Sequence, residues 1–195
     1  MVKKILCLIF ILGLFSPLFC VASKELDNQK VILKTSKGDI TIELYPKKAP
    51  LTVENFLSYV DEGFFDGTIF HRVGKGFMIQ GGALTSDLQE KPTKPPIKNE
   101  APNGLKNTKG TIAMARTDEV NSATSQFFIN LVDNPDLDYR NNTQEGYGYA
   151  VFAKVTKGME VVETIANVPV KTRGWNKNFP QDITTIISVR RLENK

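Results

Sequence analysis

Between Phe70 and Gly82 the chain reads Phe-His-Arg-Val-Gly-Lys-Gly-Phe-Met-Ile-Gln-Gly-Gly, which sets one guanidinium (Arg72) and one amide (Gln80) among large apolar side chains. Taken as two strands about the Gly74–Gly76 turn, this stretch returns Phe77, Met78 and Gln80 toward Arg72. Strand alternation keeps Arg72 from sharing a face with both Phe70 and His71. A permanently charged fork of donors beside an apolar notch and an amide suits an uncharged, planar ligand group. That is peptide chemistry without a nucleophile.

The remaining candidates for chemistry are few. Cys7 and Cys20 are the only cysteines and His71 the only histidine. Both cysteines fall in an N-terminal stretch read below as a removed signal, so thiol nucleophiles, disulfides and cysteine-ligated metals are excluded from the mature chain. A serine hydrolase would have to use Ser122 or Ser125 with His71, and the glycine pattern of a nucleophile elbow is missing. Alternation turns His71 away from Arg72, so it reads as a structural histidine. No cofactor is expected.

Rotation about an X-Pro bond is chemistry that such a set can do. Amide resonance gives a barrier of roughly 18–20 kcal/mol, and uncatalysed exchange takes tens to hundreds of seconds. When the amide twists, its nitrogen becomes pyramidal and gains a lone pair that the planar form lacks. A donor aimed there favours the twisted form selectively, which is what lowers a barrier. Arg72 fits that role, and Gln80 and Gln126 could orient it or bond the peptide backbone. The alternative is a surface arginine paired with Asp66 or Glu62.

Such a site needs a rigid scaffold. Residues 31–35 and 39–44 read as two strands about a Lys37-Gly38 turn, with Ile40, Ile42 and Leu44 alternating against Thr41 and Glu43. Residues 51–62 read as a helix, with Thr52 as N-cap, a Val53, Phe56, Leu57, Val60 stripe and Gly63 as its stop. Further strands are expected over 68–73, 77–80, 111–116, 126–131, 149–155 and 183–192, and a second helix over 159–166. Many short strands with only two helices predict a mainly β, closed antiparallel barrel. Residues 84–109, rich in Pro, Lys, Asn and Gly, read as one long surface excursion, a solvated connector for most of its length.

Together with Ala113-Met114-Ala115-Arg116 and Ser125-Gln126-Phe127-Phe128-Ile129-Asn130, the first segment resembles the cyclophilin family of peptidyl-prolyl cis-trans isomerases. The likeness runs from about Val31 to Val189, three blocks in the right order. Ala115-Arg116-Thr117 and Tyr147-Gly148-Tyr149-Ala150-Val151-Phe152 resemble its bacterial, exported branch. The resemblance implies an eight-stranded antiparallel barrel with a helix over each open end and Arg72 as the catalytic residue. It turns Phe77, Met78, Phe128 and Leu137, which periodicity alone would assign to core, into walls of a proline pocket. It adds Ala115, Arg116 (mainly through backbone groups) and Tyr149 to the groove, and gives Glu100 a part in fixing the excursion. The family tryptophan that contacts cyclosporin is replaced by Asp136 and the pocket histidine by Tyr149, so cyclosporin should bind weakly. Trp175, in a loop over 171–180, reads as surface packing.

Residues 1–22 read as a signal peptide: Lys3 and Lys4, an apolar run over 5–15, and small residues at Cys20-Val21-Ala22. The run is short for a membrane span, and bulky Phe19 argues against lipidation at Cys20. A tail over 23–29 precedes a single domain over 30–195. Loss of Lys3 and Lys4 leaves 23 basic against 21 acidic residues with no long basic run, so neither nucleic acid nor, after signal removal, a membrane is an expected partner. The expected partners are proline-containing segments of unfolded or partly folded exported proteins. A periplasmic monomer is expected, with secretion as the alternative location. A groove that only binds proline segments, as a chaperone or host-facing interaction module with incidental turnover, is the competing reading.

Overall fold

The computed structural model describes residues 29–174 and 176–192. The signal, the first six residues of the tail and Trp175 lie outside them. Strands β1 (Lys30–Thr35), β2 (Gly38–Leu44), β3 (Thr68–Gly74), β4 (Met78–Thr85), β5 (Thr111–Met114), β6 (Phe127–Asn130) and β7 (Val151–Lys157) precede two strands of a small hairpin, β8 (Val170–Arg173) and β9 (Asn176–Pro180), and the closing strand β10 (Ile186–Leu192). Helices α1 (Pro50–Asp61) and α2 (Met159–Ala166) complete the fold.

Eight strands form one antiparallel sheet in the order β10-β1-β2-β7-β5-β6-β4-β3. The sheet curls until its outermost strands meet. The Phe70 amide donates to the Thr184 carbonyl at 3.1 Å, the Gly67 amide to the Ile186 carbonyl at 2.9 Å, and Ile69 bridges Thr185. Its concave side is filled by Val31, Leu33, Ile40, Ile42, Ile79, Ile112, Phe127, Ile129 and Val189, each 1% exposed or less. Helix α1 adds Val53, Phe56, Leu57 and Val60 to that core, and α2 adds Val162, Ile165 and Ala166. Phe56 joins Phe65, Phe127 and Phe152 in an aromatic cluster with ring centroids 5.2–5.8 Å apart.

Two expectations need correcting. Thr52 is not the N-cap of α1: the helix starts at Pro50, Ala49 stands at the cap without a side-chain bond, and Thr52 lies in the first turn. The cap comes from outside the helix. Glu100 accepts from the Leu51 amide at 3.2 Å, the Thr52 amide at 2.8 Å and the Thr52 hydroxyl at 2.7 Å, so the carboxylate satisfies two orphan donors at the positive end of the helix dipole. The second correction is the hairpin β8–β9, where a loop was expected. Its strands carry little apolar alternation, and it is anchored by Asn176, which donates to the His71 carbonyl, and by buried Phe179.

The excursion after β4 is open to solvent over most of its length, as expected, and is stapled down at three asparagines. Asn99 and Asn107 are 5% and 2% exposed. The Asn99 side chain donates to the Gly148 carbonyl at 3.1 Å, Asn103 to Val151 at 2.9 Å and Asn107 to Leu137 at 3.0 Å. These amides replace the sheet ladder as partners for loop carbonyls that would otherwise be buried unpaired.

Candidate active site

The register of the sheet builds the site. Arg72 on β3 faces Gln80 on β4, Gln80 faces Phe128 on β6, Phe128 faces Ala113 on β5, and the bulged pairing carries the row to Val151 on β7. Directly paired residues share a face of the sheet, so this row lies on the outer face while Ile79, Ile129 and Ile112 point inward. Met78, two residues from Gln80, joins the outer face. Met78, Ala113, Phe128 and Val151 therefore form an apolar cluster separate from the main core, against which Phe77, Ala115, Leu137 and Tyr149 pack.

Above this row opens a cleft of about 200 Å³ lined by Arg72, Phe77, Met78, Gln80, Ala115, Arg116, Phe128, Leu137 and Tyr149. Nine of the ten residues expected from the sequence thus share one concavity. The tenth, Gln126, lines a neighbouring cleft and supports the first from behind. Its Oε1 accepts from Gln80 Nε2 at 2.8 Å, and Gln80 Oε1 accepts from Arg72 Nη1 at 3.1 Å. One edge of the guanidinium is fixed and its other donors remain available to a ligand. The surface pairings considered for Arg72 are taken elsewhere: Asp66 pairs with Arg190, and Glu62 with Lys94.

The apolar walls are held just as firmly. The Phe77 carbonyl accepts from the Leu131 amide at 3.0 Å and the Asn134 side chain at 3.1 Å. Leu137 and Tyr149 are joined by a backbone bond of 2.9 Å, and the Tyr149 ring stands edge-on to Phe128 with centroids 5.6 Å apart. The Arg116 side chain is engaged within the protein. Its guanidinium lies 4.9 Å from the Tyr149 ring centroid and donates to the carbonyls of Gly148, Thr117, Asp118 and Gln144 at 2.9–3.1 Å. The side chain locks the loop that carries Tyr149. Gly148 permits this with φ +70°, since a β-carbon there would come 2.6 Å from the Asp138 and Tyr139 backbone.

Sequence reasoning missed the buried asparagine network beneath these walls. Asn130, fully buried on β6, donates to the Thr111 hydroxyl at 2.9 Å and accepts from Asn134 at 2.7 Å, while the Asn134 amide donates to the Asn107 carbonyl at 2.8 Å. The available signal was an asparagine closing an apolar strand, a residue depleted there unless paired.

His71 has no part in the cleft. It is 1% exposed, its Nδ1 has no hydrogen-bond partner, and burial lowers its pKa to about 4, against a bond to the Ile69 backbone that raises it. Neither serine of the hydrolase alternative bonds it: Ser122 engages Thr117 and the Glu119 carbonyl, and the Ser125 hydroxyl is buried without a partner.

A fixed cation over an apolar notch suits an enzyme that acts on its ligand by holding it. The comparisons give that class a family. Residues 30–191 match the family model described as cyclophilin type peptidyl-prolyl cis-trans isomerase/CLD. A peptidyl-prolyl cis-trans isomerase of Acinetobacter baylyi is 54% identical over 170 residues, covering 87% of this chain and 89% of that protein. Peptidyl-prolyl cis-trans isomerase B of Escherichia coli is 52% identical, with 82% and 97% covered. A Cryptosporidium parvum cyclophilin-type isomerase, solved in the presence of the dipeptide Ala-Pro, superposes with a TM-score of 0.70 at 28% identity, covering 85% of this chain and all of that one. The chain belongs to the cyclophilin-type peptidyl-prolyl cis-trans isomerases and is an enzyme of that kind. Among the described residues no helix is long and apolar enough to cross a membrane.

Proposed function

We propose that the cleft over the outer sheet face is where prolyl rotation occurs, with Arg72 as the catalytic residue. The observation that carries this is the Gln126–Gln80–Arg72 chain, which holds a guanidinium in the same cleft as the apolar side chains of Phe77, Met78, Phe128 and Leu137. Phe77, Met78, Phe128, Leu137 and Tyr149 hold the ring, and Ala115 and the Arg116 backbone line the path of the preceding residue. With the ring immobile, the acyl group turns, the prolyl nitrogen pyramidalises, and an Arg72 N–H donates to the lone pair that appears. The planar ground state offers no such acceptor, so the bond stabilises the twisted amide selectively. No proton is transferred and no covalent bond breaks. The Ala-Pro dipeptide used with the Cryptosporidium relative supports proline-containing segments as the ligand class.

The testing experiment measures exchange of a short X-Pro peptide, by a protease-coupled assay or NMR, in wild type and Arg72→Ala. Losing a preorganised donor should cost about 10²–10³ in kcat/KM. Equal rates in both proteins would remove the mechanism, and no turnover in either would favour a groove that only binds. Residues 1–22 support export, with exported proteins in the periplasm as clients of a monomeric enzyme. N-terminal sequencing of the periplasmic protein should start at Ser23; a chain retaining Met1 in the cytoplasm would overturn it.

A further inference from the structure

Strand β3 changes faces in its middle. Phe70 pairs with Gly81 and Arg72 with Gln80, so two steps along β3 answer one along β4, and His71 is the extra residue of a bulge. In a regular strand, residues two apart share a face. Here they do not. Phe70 is fully buried, its ring edge-on to Phe127 with centroids 6.2 Å apart, and the β-carbon that Gly81 lacks would lie 3.1 Å from it. Arg72 stands instead in the cleft on the outer face, bonded to Gln80. The bulge therefore decides which side of the sheet the guanidinium occupies. A straight ladder that kept Phe70 in the core would carry Arg72 into the core as well.

The extra residue of a bulge is left out of the ladder, so its buried backbone groups need other partners. The His71 carbonyl finds one outside the main sheet: Asn176, the first residue of β9, donates to it through Nδ2. Asn176 is 7% exposed, and its Oδ1 accepts from the Asn178 amide at 3.0 Å, which orients the side chain. One residue earlier the free edge of β3 is served differently, by the Phe70 amide donating to Thr184 at 3.1 Å. Hairpin β8–β9 is a separate two-stranded sheet, packed down by buried Phe179. It thus meets the main sheet with a side chain on the one carbonyl that precedes Arg72.

We infer that Asn176 is a positioning residue for prolyl rotation: through the His71 carbonyl it holds the bulge that turns Arg72 onto the outer face. This inference rests on the assignment of Arg72 to catalysis. Bulges next to active sites re-aim side chains. This one fixes the root of the Arg72 side chain, while Gln80 fixes its tip. Without the Asn176 donor the His71 carbonyl is buried and unpaired, and the backbone at His71 and Arg72 relaxes toward another partner. The guanidinium then leaves its line to the prolyl nitrogen. The apolar walls stand on β4, β6 and the segments beside them, so the loss falls on the twisted amide and not on ground-state binding.

The test is a double-mutant cycle with a short X-Pro peptide, read by NMR exchange. Asn176→Ala should lower kcat about tenfold, since a misplacement of about 1 Å can cost about 10², with KM within about twofold of wild type. In an Arg72→Ala background the same substitution should change kcat by less than about twofold, because the group it acts through is gone. The Gln80 side-chain amide and Arg72 Nε–H signals should shift in Asn176→Ala. Asn176→Ser, whose hydroxyl is one bond too short to reach the carbonyl, enters the same cycle if the alanine variant does not fold. Wild-type kcat in the folded variant, or an equal tenfold loss in the Arg72→Ala background, overturns the inference. Failure of the underlying assignment reads differently: Arg72→Ala itself turns over at the wild-type rate, with the Gln80 signals still displaced in Asn176→Ala.

Discussion

His71 gives the sharpest separation between a structural histidine and a catalytic one. An ordinary imidazole titrates near 6.5, and burial lowers this one to about 4. The folded state therefore resists the proton that the unfolded chain accepts. Unfolded molecules bind more protons between these two values, so stability falls as pH drops through that window and is fully present above 6.5. The gap is worth about 3 kcal/mol, a large share of a domain's net stability. Arg72 beside it also disfavours the charged form, and Arg173 and Glu90 line the cleft that His71 borders. Asp61 and Asp66, held below the usual carboxylate range by their bonds to Arg191 and Arg190, lose their stabilisation only at lower pH. Urea unfolding of wild type and His71→Gln at pH 7.5, 6 and 4.5 reads the effect directly. Wild type should lose roughly 2–3 kcal/mol across the range and the variant much less, while kcat/KM stays flat from pH 5.5 to 8. Equal pH slopes in both proteins, or activity that tracks an ionisation near 6.5, would refute the reasoning.

Gln80→Leu removes the acceptor that fixes Arg72 and should lower kcat/KM about tenfold with KM nearly unchanged, since the bond acts on the twisted amide; steady-state kinetics on a short X-Pro peptide checks this. Glu100→Ala uncaps α1 and should cost about 1–2 kcal/mol in chemical denaturation, with Glu100→Gln recovering part of it. Cyclosporin should inhibit weakly, because exposed Asp136, next in sequence to the cleft residue Leu137, offers no aromatic surface, and sub-micromolar inhibition would show that Asp136 and Tyr149 have been aligned wrongly.

The sheet was legible in the sequence wherever one face meets the core and the other does not. The Ile40, Ile42, Leu44 alternation gives β2 nearly to the residue, and the α1 stripe of Val53, Phe56, Leu57 and Val60 gives the helix. Boundaries drifted where pairing is set by distant partners. Strand β4 runs on to Thr85, past Gly81 and Gly82, and β5 stops at Met114. What stayed hidden was long-range polar contact. Nothing local to Thr52 announces that Glu100 caps its helix, and nothing local to Asn99, Asn107 or Asn134 says which carbonyl each will meet. The hairpin β8–β9 escaped for a related reason: its strands are held by Asn176 and Phe179 against β3 rather than by a pattern of their own.

The site's position on the outer face of the sheet follows from the kind of catalysis proposed for Arg72. A donor that must meet a lone pair present only in the twisted amide gains nothing from being able to change protonation, and loses if it moves. Arginine satisfies the first condition at any physiological pH. The cross-strand row satisfies the second, because Arg72, Gln80, Phe128 and Ala113 are each set by ladder pairing rather than by loop conformation. Loops enter only to close the notch, and those that do are pinned at Phe77, Leu137 and Tyr149 by hydrogen bonds that a moving lid would have to break. Rotation needs the proline ring held still while its neighbour turns, so rigidity here serves turnover as well as stability. On this account, loosening the Asn107–Asn130–Asn134 network should damage catalysis before it unfolds the protein.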